Sequence, residues 1–234
     1  RFQAVALSGD GADELLAGYN KHAAFYNSFH PGIKEKAVRA LNPLWKVMPQ
    51  SRSNPLANTA RQLNRFAEGL KLSPKERYWR WAAFADEIQS KNILHADSQA
   101  QLSEQLYQHT KSEILKDIGS SGSMNEILLT DTKLVLPNDM LTKVDLMSMA
   151  NSLEVRTPFL DFEVVNFIFS LPEDFKINSG MRKRILQDAF RDILPAQLYN
   201  RPKKGFEVPL LKWFRREMKS LIMDDLLSEK LIRE

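Results

Sequence analysis

VALSGDGADELLAGYN, residues 5–20, is the stretch on which the reading turns. Val5, Ala6 and Leu7 belong to a short apolar run with the composition of a buried strand. They lead into Ser8-Gly9-Asp10-Gly11, where two glycines mark a turn, and a helical apolar period follows. A strand that ends in a glycine-containing turn and passes into a helix places a ligand at the carboxyl edge of a parallel sheet. Glycines let backbone approach a phosphate or a sugar closely, and free N–H groups at a helix start bind anions. Three carboxylates, Asp10, Asp13 and Glu14, crowd the same turn. They repel a bare phosphate, but one or two of them can hold Mg²⁺ that bridges to phosphates. The structural alternative is that Asp10 or Asp13 caps the helix and Glu14 complements its dipole. Caps are common, so spacing alone favours the cap. The acids lack the EF-hand spacing of a calcium loop.

The rest of the chain sets the frame. With 234 residues, 43% hydrophobic and 26% charged, it has room for one large or two small globular domains. A net charge of +4 is compatible with an anionic ligand. No basic stripe interleaved with aromatics points to nucleic acid, and no run is long enough for a membrane-spanning helix. Cysteine is absent, which excludes disulfides, thiolate metal sites and a thiol nucleophile from this chain. These features favour a cytoplasmic protein. One strand cannot bury itself, and residue 1 is Arg, with FQAVAL following at once. The expectation is a C-terminal part of a longer protein, entered at the last strands of a sheet.

Beyond the strand the periodicity is helical. It predicts helices over 13–29, interrupted near Gly18, and over 32–48, 54–72, 98–117, 124–135, 138–150, 160–170, 181–193 and 209–228. SPKERYWRWAAFA opens with a capping box, Ser73 as N-cap, Pro74 at the first helical position and Glu76 three residues after the cap. GSSGS at 119–123 reads as a flexible break. The fold expected is mainly α, with one or few short N-terminal strands.

Two further segments stand out. In LPNDMLTKVDLMSMANSLEVRTPFLD, residues 136–161, Asp139 and Lys143 share a helical face as an i,i+4 pair, followed by Asp145, Glu154 and Arg156. Met147 and Met149 read as packing. NRPKKGFEVPL, residues 200–210, is a loop carrying Arg201, Lys203 and Lys204, cations that are either solvated or placed to neutralise developing negative charge. RKR at 182–184 reads as a solvated face.

LSGDGADELLAGY, LTKVDLMSMANSLEVRTPFLD and RPKKGF, in this order, resemble the C-terminal synthetase domain of glutamine-hydrolysing (class B) asparagine synthetase. The resemblance covers essentially the whole chain and is most specific at 5–19, 136–161 and 200–209. It implies part of an α/β PP-loop ATP pyrophosphatase domain, with 1–29 as the end of the nucleotide-binding sheet and its following helix, and 30–234 as a helical remainder. It also implies ATP and Mg²⁺ as cofactors, aspartate as acceptor, and ammonia released from glutamine by a separate domain. A homodimer is compatible with it; nucleic acid and membrane are not expected as partners.

By the same resemblance, Ser8 and Gly9 match nucleotide-contacting positions, and Lys143 and Lys204 join them. Asp10 matches an acid near the acyl-adenylate, and Tyr19 a tyrosine near the same intermediate. Asp13 matches the Mg²⁺–pyrophosphate carboxylate, with Glu14 as the acid beside it. Lys203 matches the lysine that stabilises charge during adenylation, Lys204 being the alternative if the register slips by one. Asp139, Asp145, Glu154 and Arg156 are expected to line or brace the substrate side.

Two departures qualify the match. Leu16-Ala17-Gly18-Tyr19 stands where the family has Phe-Gly-Gly-Tyr, an added methyl of small expected cost. The family's Ser-Gly-Gly-x-Asp-Ser phosphate loop and its glutaminase domain do not occur in these residues, so the isolated chain is expected to be inactive. The alternatives are a related amidotransferase acting on another carboxylate, and a catalytically dead scaffold.

Overall fold

The computed structural model describes residues 4–52, 54–83, 85, 87–178, 181–198 and 208–228. Two compact units divide the chain, residues 1–199 and 200–234. In the first, β1 (Val5–Leu7) is followed by α1 (Ala12–Leu15) and α2 (Asn20–Phe29), so the predicted helix breaks where the glycine lies. The 32–48 period resolves into α3 (Ile33–Ala40) and α4 (Asn42–Val47), with Pro43 in the first turn of α4. Next come α5 (Pro55–Gly69) and α6 (Pro74–Ala82). A short helix that periodicity missed, α7 (Glu87–Ile93), precedes α8 (Ala96–Ala100) and α9 (Glu104–Ile114), which stand where one helix over 98–117 was predicted.

α10 (Met124–Val135) continues through a π-helical segment, Leu136–Leu141, into α11 (Thr142–Met149). Pro137 explains the widened turn: it has no N–H for the α-ladder, and its ring crowds the carbonyl four residues back. β2 (Glu154–Arg156) was not legible as a strand; it pairs in parallel with β1, Val5 opposite Glu154 and Leu7 opposite Arg156. After it come α12 (Phe162–Ser170), α13 (Glu173–Lys176), and the antiparallel pair β3 (Ile177–Asn178) and β4 (Met181–Arg182). α14 (Arg184–Ala189) is therefore shorter than the predicted 181–193, whose first residues are strand. The second unit holds α15 (Leu210–Arg215) and a π-helical segment, Leu221–Leu226, in place of one helix over 209–228. The chain is mainly helical with few short strands, as expected, but among the described residues three of the four strands are not N-terminal.

The first unit is organised around an aromatic core. Phe25 of α2 is fully buried and meets Trp81 of α6 edge-on at 4.7 Å, while Phe66 of α5 stacks on the same indole at 5.5 Å. Ile127 and Leu128 of α10 join this cluster. Two arginines supply donors to carbonyls at helix C-termini. Arg77 of α6 donates to Gly69 O and Leu72 O at the end of α5, and Arg65 of α5 donates to Arg80 O, Trp81 O and Ala83 O at the end of α6.

The capping predictions fared unevenly. Ser73 accepts from the Glu76 N–H, as read, but the Glu76 carboxylate binds Lys111 at 2.7 Å instead of closing the box. The complete box lies at Ser123, whose Oγ accepts from the Glu126 N–H while Glu126 accepts from the Ser123 and Gly119 N–H groups. GSSGS is thus tied down by a carboxylate rather than a free break. Val5 and Leu7, expected to be buried, are 40% and 76% exposed; among the described residues β1 has a single strand beside it.

Lys176 is fully buried, donates to Asn125, and lies 5.1 Å from the Phe169 ring centre. Burial lowers its ammonium to about 8 from 10.5. The unfolded chain therefore binds the extra proton between these values, and stability from this group rises as pH climbs through that window. Lys176→Met is expected to raise stability at pH 7 by roughly 1–3 kcal/mol and to remove this rise; urea unfolding at pH 7 and pH 10 measures both.

Candidate active site

The parallel pairing of β1 with β2 brings two of the three distinctive segments to one sheet edge. The Ser8 N–H donates to Arg156 O at 2.8 Å, continuing the ladder past Leu7, so the SGDG turn begins beside the end of β2. Arg156 Nε and Glu154 Oε1 pair at 2.8 Å on the strand surface. Ser8 Oγ donates to the Asp10 carboxylate, which folds the turn back on itself. Nothing lies within 4 Å of the point where a side chain would start at Gly9, so its backbone borders open space.

The acids do not cap α1. The N-cap is Gly11, at φ 88°, a left-handed conformation suited to glycine, and no side chain bonds there. A Cβ at Gly11 would also stand 2.3 Å from Leu160 Cδ2. Asp13 instead pairs with Lys183 Nζ at 2.9 Å, and the Lys183 N–H donates to Leu16 O at 3.0 Å. Lys183 itself adopts φ 53°, a backbone strain of a kind that gathers at functional sites. The RKR reading as a solvated face is therefore corrected: β4 and the turn after it deliver Lys183 to the helix mouth, and Arg182 Nη1 to Asn20 Oδ1 at 2.5 Å. No local period signals this, because the contact spans 170 residues.

Gly18 makes the pair possible. A Cβ there would lie 1.7 Å from Asp13 Oδ1 and 2.5 Å from Lys183 Cε. Gly18→Ala is expected to displace Asp13 and Lys183 together and to cost about 1–3 kcal/mol through overpacking, read as a lowered urea midpoint. Ala17, by contrast, sits at φ 57° with no exposed surface. A glycine would relieve about 1 kcal/mol of backbone strain. It would also forfeit about 0.8 kcal/mol of methyl burial. The two offset, and the departure from Gly-Gly costs little.

Glu14 and Tyr19 form a second layer. Glu14 is 1% exposed, and its Oε1 accepts from the Tyr19 hydroxyl at 2.5 Å. Burial pushes the Glu14 carboxyl above its ordinary value, and burial with the Glu14 bond raises the Tyr19 phenol. Behind them lies Asp131 of α10, fully buried, a residue the sequence reading passed over. Its Oδ1 accepts from Lys21 Nζ at 2.7 Å and from the Tyr78 hydroxyl at 2.5 Å, and its Oδ2 faces His22 Nε2 at 2.7 Å. Burial pulls Asp131 upward, but the His22 bond and the Lys21 charge outweigh it and hold the carboxyl below its ordinary value. Burial lowers His22 in turn.

The remaining predicted residues are dispersed. Asp139 lies in the π-helical segment, and Lys143 and Asp145 in α11; all three are exposed, with Lys143 Nζ 3.5 Å from Met140 Sδ. Lys203 and Lys204 lie outside the described residues.

A Mg²⁺ ion shared with substrate phosphates needs only one or two protein carboxylates. Asp13, with 21% of its side chain exposed, fits that role. Glu14 does not, since its carboxylate is buried and engaged by Tyr19. Among the described residues no cluster of three or more His, Asp or Glu forms a cage.

Comparison with known proteins bears on what this edge serves. The family model for asparagine synthase matches residues 1–234. The chain is 30% identical to asparagine synthetase [glutamine-hydrolyzing] 1 of Bacillus subtilis over 221 residues, covering 92% of this chain and 32% of that protein. It is 37% identical over 68 residues to asparagine synthetase 3 of the same organism, covering 29% and 11%, and 32% identical over 80 residues to the Bos taurus enzyme, covering 31% and 14%. The chain thus spans about a third of the length of the first of these relatives. No solved structure matches it. Among the described residues, no helix is long and apolar enough to cross a membrane.

Proposed function

The chain belongs to the asparagine synthase family, and from that premise we propose that it forms part of an ATP-dependent ligase converting aspartate to asparagine in the cytoplasm. Residues 1–29 are read as the end of the nucleotide-binding sheet with its following helix, and 30–234 as the helical remainder. Further strands supplied by the rest of the domain would cover Leu7 and Val5.

The reaction requires a carboxylate to become an electrophile while several anions are brought together. A β-carboxylate oxygen of aspartate bonds to the α-phosphorus of ATP, and pyrophosphate leaves. Ammonia, drawn from glutamine, then bonds to the acyl carbon, loses a proton, and AMP departs. The observation that carries this reading is the meeting, at the carboxyl edge of β1, of the SGDG turn with the Asp13–Lys183 pair. Lys183 supplies positive charge where pyrophosphate would separate, and the open backbone at Gly9 admits the nucleotide. Asp10, whose carboxylate accepts from Ser8, would take the proton from ammonia. Mg²⁺ held by Asp13 would neutralise phosphate charge when bound. Lys203, or Lys204, would add a further cation to the adenylation step.

The test is ATP–pyrophosphate exchange by the full-length protein with and without aspartate, followed by a mass of the product made with ammonia. Aspartate-dependent exchange with asparagine formed supports the reading. Exchange only with another acid moves it to a related amidotransferase, and none with any acid moves it to a scaffold. This 234-residue chain alone is expected to show no asparagine formation.

A further inference from the structure

We infer that Asp131 is a positioning residue: acting through His22, it fixes Tyr19 and Glu14 behind the Asp13–Lys183 pair. The inference rests on the reaction proposed above and adds residues which that reading did not include.

The geometry runs in one direction from the core to the sheet edge. Asp131 Oδ2 faces His22 Nε2 at 2.7 Å, and the other ring nitrogen, Nδ1, accepts from the Tyr19 N–H at 3.3 Å. A nitrogen that accepts carries no proton, so this bond assigns the imidazole as neutral with its proton on Nε2, donated to Asp131. The carboxylate therefore sets the tautomer and the ring plane, and the ring holds the backbone at the start of α2. The Tyr19 ring lies against that imidazole, with centroids 5.3 Å apart, and its hydroxyl reaches Glu14 Oε1 at 2.5 Å. Glu14 is the neighbour of Asp13 on α1. Asp131, 109 residues from His22 in sequence, is thereby linked to the helix mouth by three hydrogen bonds.

The Tyr19 N–H to His22 bond also caps α2, but the Asp131 carboxylate does not depend on His22 alone for partners. Lys21 and Tyr78 already give the Asp131 carboxylate a charge partner and a buried donor. The imidazole is wholly desolvated, and both its nitrogens are used, one toward the core and one toward Tyr19. A group enclosed in this way holds its neighbours to one geometry, as a site needs when its reacting groups must keep to fractions of an ångström.

The experiment compares His22→Gln with Tyr78→Phe in the full-length protein. Glutamine can still donate to Asp131 from the place of Nε2 but offers no acceptor at the place of Nδ1. Phenylalanine deletes a bond to the same carboxylate on a branch that does not lead to Tyr19. His22→Gln is expected to lower kcat for aspartate-dependent exchange on the order of 100-fold with KM values within about twofold, while Tyr78→Phe loses less than about threefold. Activity losses that follow stability losses equally in both variants would overturn the inference, as would a wild-type His22 whose nitrogen shifts place the proton on Nδ1. Should His22→Gln fail to fold, Asp131→Glu, which keeps the charge and moves it by one methylene, is read by the same criterion. Wild-type protein without aspartate-dependent exchange would sink the reaction reading alone. The Tyr19 hydroxyl proton resonance then decides the network: its loss in His22→Gln and retention in Tyr78→Phe supports the inference, and retention in both refutes it.

Discussion

Asp13→Asn is expected to lower aspartate-dependent ATP–pyrophosphate exchange by on the order of 10²–10³-fold while leaving the fold intact. Asparagine keeps the shape of the side chain, so its contact with Gly18 survives. What disappears is the negative charge that Lys183 faces and that a shared cation would need. Both partners are partly exposed, at 30% and 21%, so losing the pair costs at most about 1 kcal/mol of stability. Kinetics and urea unfolding should therefore separate sharply. Glu14→Gln is the informative contrast. Its carboxyl is buried and already raised toward the neutral form, and a glutamine oxygen still accepts from Tyr19. Its exchange should stay within about tenfold of wild type, since one buried hydrogen bond retained is about 1 kcal/mol retained. Equal losses in both variants would return Glu14 to the metal site, and unchanged exchange in Asp13→Asn would remove Asp13 from it.

The second large effect concerns stability. Asp131→Ala leaves the Lys21 ammonium, the His22 ring and the Tyr78 hydroxyl facing a cavity, and removing one partner of such a buried group costs about 3–5 kcal/mol. Against the 5–15 kcal/mol typical of a domain, this is a large share. The wild-type contribution has a definite pH signature. Because the folded carboxyl lies below its ordinary value of 3.8, the stabilisation is present above that value and is lost as pH falls through the folded value. Wild-type protein should thus lose stability below about pH 4 more steeply than the variant. Urea midpoints at pH 7 and pH 3 measure both claims, and parallel pH profiles for the two proteins would contradict the second.

Much of the local architecture follows from the chain's own period and punctuation. The apolar run before Ser8, the break of the first helix near Gly18, the N-cap at Ser73, the start of α10 at Met124 and the predominance of helix were legible because each depends on residues a few positions apart. The family was legible for a related reason: three short motifs in order survive in a single sequence without reference to what they touch, and the family match over 1–234 agrees. The same locality explains the misses. Spacing favoured Asp10 or Asp13 as helix caps, yet Gly11 occupies the N-cap, because the turn is set by Leu160 packing against its bare Cα rather than by a side-chain acceptor. Glu76 has the right spacing to close a box on Ser73, but the nearer positive charge of Lys111 takes it.

The sequence by itself determined the predominance of helix, the break near Gly18, and the carboxylates grouped at residues 10–14. Tertiary structure alone decided which of those carboxylates has a cation beside it and which is buried under a tyrosine. It also decided that β2 pairs in parallel with a strand 149 residues earlier, Val5 against Glu154, that Lys183 comes to Asp13 at the helix mouth, and that Asp131 meets His22 behind it. A helical or strand period repeats within a few residues and is written locally. A contact between Asp13 and Lys183 has no period, and its partner is chosen only when the residue that follows β4 and α1 are folded against each other.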